Sequence, residues 1–96
     1  MLIVVAYDVA ITVGDGAKRL NHAAKICLKY GQRVQNSVYE CNIDTLNYAK
    51  LREELKAVVD LDHDSLRFYD LGKNYKNKII HEGVKEVPDM QGTIIL

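Results

Sequence analysis

The first nine residues constrain this chain more than any other stretch. Leu2 to Val9 reads LIVVAYDV, a continuous apolar run rich in β-branched side chains and interrupted only by Asp8. It is too short for a helix, and its composition predicts a strand buried on both faces. Asp8 stands out within it. A carboxylate is costly to bury without a partner, so Asp8 is expected to face a loop or a ligand at the strand's end.

The periodicity then changes. Gly14, Asp15 and Gly16 signal a loop, with Asp15 as candidate N-cap. From Ala17 the spacing is helical: Leu20, Ala23, Ala24, Cys27 and Leu28 form one apolar face. Lys18, His22, Lys25 and Lys29 form a basic stripe on the other side, and Gly31 stands where a helix-ending glycine belongs. Gln32 to Ile43 alternates and is β-prone, either one bent strand or two strands reversing near Asn36 and Ser37. Asp44 is placed to cap a second helix over Thr45 to Val59, with Tyr48, Leu51, Leu55 and Val58 on one face. Ser65 to Leu71 is expected as a strand with Leu66 and Phe68 on one side and Arg67 and Tyr69 on the other. Lys76 to His81 reads as a further short strand, and TIIL at Thr93 to Leu96 as a terminal one.

Two helices between strands of this order predict an α+β, ferredoxin-like fold: a mainly antiparallel sheet with both helices on one face. The 96 residues fit a single domain, 1–96. A core of that size is marginal, which favours an oligomer. The short apolar end strand is suited to pairing with the sheet edge of a second copy, exchanged across a homodimer.

Net charge is zero overall, which excludes a uniformly basic binder, but the charge is segregated. Residues 14–35 carry +4, residues 73–85 carry +3 and residues 40–64 carry −4. Two basic blocks in so small a chain suit a phosphate backbone as well as they suit plain solvation. Neither a membrane span of about 20 apolar residues nor a basic-flanked export signal is visible, so a cytoplasmic protein without a membrane partner is expected. Cys27 and Cys41 have no metal-ligand spacing, and neither do His22, His63 and His81. DLDHD at Asp60 to Asp64 alternates acids but lacks the glycine and distal glutamate of a calcium loop, and reads as a solvated linker. No nucleophile elbow, phosphate loop or dinucleotide fingerprint is present. Asp8 remains the leading candidate. One carboxylate makes a poor Mg²⁺ site, and a two-fold dimer would remedy this by supplying a second.

Tyr7-Asp8-Val9, the Lys18-Arg19-Leu20 step, GQRVQNSVYEC at Gly31 to Cys41 and DSLRFYDLG at Asp64 to Gly72 together resemble the CRISPR-associated protein two family. The likeness covers roughly the whole chain and is looser after the Asn74-Tyr75-Lys76 step. It implies a small ferredoxin-like homodimer acting as a metal-dependent endonuclease on single-stranded RNA or duplex DNA. It further implies a bridging role beside the CRISPR-associated integrase during spacer acquisition. By the same resemblance Asp8 is the catalytic, metal-binding acid for Mg²⁺ or Mn²⁺. Tyr7, Lys18, Arg19, Arg33, Ser37 and Tyr39 would bind nucleic acid or support the site. Two positions depart from the common pattern. Lys18 replaces an Arg, giving up a bidentate phosphate grip, and Tyr39 replaces a Phe, adding a hydroxyl. A non-catalytic DNA-binding adaptor and a toxin-like ribonuclease of the same fold are the alternatives.

Overall fold

The computed structural model describes residues 1–84, so the expected end strand at Thr93 to Leu96 lies outside the described residues. Four strands and two helices alternate as β1 (Leu2–Asp8), α1 (Gly16–Tyr30), β2 (Gln32–Gln35), β3 (Val38–Asn42), α2 (Thr45–Val58) and β4 (Ser65–Gly72). The apolar N-terminal run is a central strand: the sheet order is β2-β3-β1-β4, and every pairing is antiparallel. This is the ferredoxin-like arrangement that the sequence predicts. Gln32 to Ile43 resolves into a hairpin, β2 and β3, reversing at Asn36 and Ser37.

Only one face of β1 is fully covered. Ile3, Val5 and Tyr7 are buried beneath the helices, whereas Val4 and Ala6 on the other face stay half-buried and Asp8 is exposed. The expectation of burial on both faces is therefore corrected: the two helices cover one side, and the alternation of the pleat leaves the other open. The core is one cluster, joining Ile3, Val5, Tyr7 and Val9 to Ala23 and Cys27 of α1, Tyr39 and Cys41 of β3, and Leu51 and Leu55 of α2. Small residues at 23 and 27 let α1 settle close to the sheet. Leu28, expected on that apolar face, is instead half exposed, and Tyr30 turns inward.

Helix ends follow their chemistry unevenly. The Asp44 carboxylate accepts the Asn47 N–H at 2.8 Å and caps α2 as its sequence predicts. Asp15 precedes α1 but its side chain makes no capping bond. Gly31 ends α1 with extended backbone, not the left-handed geometry of a glycine cap. Its role is close approach: a Cβ there would collide with the Glu40 carbonyl and the Cys41 Sγ. The strand expected over Lys76 to His81 is absent. Lys76–Lys78 form a single turn of 3₁₀ helix, held where the Lys78 N–H donates to the Tyr75 carbonyl at 2.9 Å.

Candidate functional site

Asp8 closes β1 directly opposite Ser65, the first residue of β4. It lies on the helix-free face in line with Val4 and Ala6, and among the described residues its carboxylate makes no hydrogen bond or ion pair. Both oxygens are therefore open to a ligand. No group of three or more His, Cys, Asp or Glu side chains gathers to hold a metal among the described residues. The donor set is thus one free carboxylate per chain. That fits half of a Mg²⁺ site, since this ion keeps several waters and is commonly held by one or two carboxylates.

The pleat divides the residues around Asp8 between the two faces. Tyr7 points the opposite way, beneath α1, where its ring stacks on Tyr39 with centroids 5.8 Å apart. The two hydroxyls lie 3.3 Å apart, and burial, together with the Tyr39 neighbour, pushes the Tyr7 phenol well above its usual range. Arg33 of β2 pairs in register with Tyr39 and donates from Nε and Nη2 to the Tyr39 hydroxyl at 2.9 and 2.8 Å. The Tyr39 hydroxyl is thus the group that ties down this arginine. Ser37 contributes through its backbone, its carbonyl accepting the Tyr7 N–H at 3.1 Å. Tyr7, Ser37, Tyr39 and Arg33 therefore form one group that braces the end of β1 from the helix side.

Arg19 and Lys18, neighbours in sequence, have opposite environments. Lys18 is exposed at the start of the α1 basic stripe, along with His22, Lys25 and Lys29. Lys29 is engaged by Glu54 of α2. Arg19 is turned inward, its side chain only 14% exposed. It donates to the Asp64 carboxylate and to the carbonyls of Ala10 and Val13, which occupies all three guanidinium nitrogens. It supports the loop after Asp8, and four of its five N–H donors are spent on these bonds. Asp64 corrects the reading of DLDHD as solvated throughout: Leu61, Asp62 and His63 are exposed, but the Asp64 side chain is fully covered. One signal was available, since Asp64 alone of the three acids directly precedes a strand.

The sequence matches the family described as CRISPR associated protein Cas2 over residues 1–79. The chain belongs to the Cas2 family. A CRISPR-associated endoribonuclease Cas2 of Chlorobaculum tepidum is 50% identical over 96 residues, covering 100% of both chains. A CRISPR-associated endonuclease Cas2 of Halalkalibacterium halodurans is 46% identical over 95 residues, covering 99% of each. Among solved structures, Streptococcus pyogenes Cas2 at pH 6.5 superposes with a TM-score of 0.76 at 43% identity, covering 86% of this chain and 100% of that one. The Cas2 likeness spans the sheet and both helices, and so includes every element that positions Asp8. Among the described residues no helix is long and apolar enough to cross a membrane.

Proposed function

We propose that this chain is a CRISPR-associated endonuclease that hydrolyses phosphodiester bonds in single-stranded RNA or duplex DNA with Mg²⁺ or Mn²⁺. It works in the cytoplasm as a homodimer, at the spacer-acquisition stage and beside the CRISPR-associated integrase. The observation that carries this reading is the free Asp8 carboxylate at the end of the central strand, on the face that the helices leave open. Nuclease names borne by relatives matching over the whole chain support the reaction class.

The half-buried Val4 and Ala6 beside Asp8 give a second copy an apolar surface to cover, and pairing about a two-fold axis would bring two Asp8 carboxylates together. Asp8 of each copy would hold the cation. When bound, that cation supplies Lewis-acid polarisation of a phosphoryl oxygen and a bound water of lowered pKa. Exposed Lys18 and Lys25 neutralise backbone phosphates along α1. Tyr7 and Tyr39 reach no substrate in this scheme; their stacked rings hold the end of β1 still.

The test compares wild type with Asp8→Asn on single-stranded RNA and duplex DNA in Mg²⁺. Cleavage should fall by roughly two orders of magnitude or more, about 2.7 kcal/mol at the barrier, with an unchanged circular dichroism spectrum. Cleavage at the wild-type rate would refute the assignment of Asp8. The adaptor reading draws on the α1 stripe, whose exposed lysines need no catalytic acid to hold a duplex. Duplex binding and integrase capture that survive Asp8→Asn would support that role alongside cleavage.

A further inference from the structure

Asp64 is the one charged residue buried among the described residues, at 8% exposure. A buried ion pair is a poor route to stability, because apolar residues of similar volume commonly do as well or better. This pair joins three segments. Asp64 Oδ1 accepts the Ala10 N–H at 2.9 Å and Arg19 Nη2 at 3.3 Å, while Oδ2 accepts Arg19 Nε and the Asp60 N–H, both at 2.8 Å. Arg19 in turn donates from Nη1 to the Val13 carbonyl at 2.8 Å and from Nη2 to the Ala10 carbonyl at 3.1 Å. Ala10 is therefore gripped at both its N–H and its C=O, two residues after Asp8. Across the sheet, the register partner of Asp8 is Ser65, which directly follows Asp64. The backbone on either side of Asp8 thus leads to one carboxylate.

We propose that Asp64 is a positioning residue. Through Arg19 and the Ala10 backbone, it fixes the strand end that presents the Asp8 carboxylate, so cation affinity and cleavage at Asp8 depend on it although it contacts neither cation nor substrate. This rests on Asp8 being the metal ligand, as proposed above. The Arg19 guanidinium holds the Asp64 carboxyl well below the usual carboxylate range, so both partners are charged at neutral pH and the bonds are of the strong, charge-assisted kind. Loss of a group that orients a metal ligand commonly costs 10- to 100-fold in metal affinity or activity.

The experiment uses the whole chain with Asp64→Asn, Arg19→Lys and Asp8→Asn, and measures Mn²⁺ affinity by the loss of the free-ion spin-resonance signal. Cleavage kinetics and thermal melts run beside it. Asp64→Asn should weaken Mn²⁺ binding roughly 10-fold or more and lower kcat by a comparable factor, with KM for nucleic acid changed by less than about threefold. Arg19→Lys keeps the charge but loses the fork to the Ala10 and Val13 carbonyls, and should show the same signature if Asp64→Asn does not fold. Wild-type Mn²⁺ affinity and kcat in either folded variant, with only the melting temperature lowered, overturn the positioning role. So does a raised KM at constant kcat in Arg19→Lys, which would make Arg19 a nucleic-acid contact. Mn²⁺ binding that survives Asp8→Asn sinks the reading of Asp8 itself, whereas loss there combined with wild-type binding in Asp64→Asn sinks the positioning role alone.

Discussion

The two faces of the sheet share every backbone hydrogen bond and little else. Beneath the helices, Ile3, Val5, Tyr7, Tyr39 and Cys41 are almost wholly covered, and even the polar atoms there are paired with one another or with Arg33. On the open side the same strands show Val4, Ala6, Glu40, Arg67 and Tyr69, half-buried or exposed, with Asp8 at the edge. A period of two residues divides one strand between holding the fold together and presenting an unpaired carboxylate. Substitutions one position apart should therefore have effects of different kinds.

The largest effect on stability is expected beneath the helices. Leu51 on α2 is fully buried in the core cluster, and Leu51→Ala should cost about 2–5 kcal/mol in urea unfolding. A cost under 1 kcal/mol would mean that this face packs more loosely than its burial implies. Acid should find the junction of the two faces next. The Asp64 carboxyl titrates below its ordinary value of 3.8 in the folded chain, mainly because of Arg19. Its contribution is therefore present above that pH and lost as the pH falls through the lower, folded value. Stability measured from pH 5 downward should decline more steeply in wild type than in Asp64→Asn; parallel curves would separate the pair from acid unfolding.

Tyr39→Phe sharpens the contrast within the covered face. It removes the acceptor of two Arg33 bonds and the neighbour of the Tyr7 hydroxyl, and should cost about 1 kcal/mol by thermal or urea melts. A neutral result would mean that Arg33 rehydrates freely at the sheet edge. The smallest change in fold stability belongs to the open face, where Ala6→Glu introduces a carboxylate opposite Arg67. The monomer should lose less than about 1 kcal/mol, while the homodimer proposed above should come apart in sedimentation. An unchanged dimer would place the interface elsewhere.

How far the sequence carried is itself explained by these faces. Periodicity resolved the strands and helices because burial on one side imposes it, and the Asp44 cap was legible because its bond spans three residues. Asp64 was misread because its burial depends on Arg19, 45 positions earlier, and no local pattern records such a partner. Gly31 does end α1 as its position predicts, but the missing side chain is needed by Cys41 and Glu40 on β3, not by a left-handed cap, and no local pattern records that approach. Over Lys76 to His81, where a strand is expected, the chain winds into a 3₁₀ turn at Lys76–Lys78. That Asp8 stands exposed at the strand end was legible from the cost of burying it in an apolar run. The division of its neighbours between two faces needed the register.

Gly31 brings α1 so close to β3 that the Cys41 sulfur lies against the helix terminus, and Cys27 is sealed in the same core. Burial pushes the Cys27 thiol up to about 12 and the Cys41 thiol to about 11. At neutral pH both therefore stay as thiols, whereas the thiolate is the form that alkylating and oxidising reagents attack. These sulfurs behave as hydrocarbon. The folded protein should keep both thiols through handling in air, and its cysteines carry no record of the redox potential of the compartment around it.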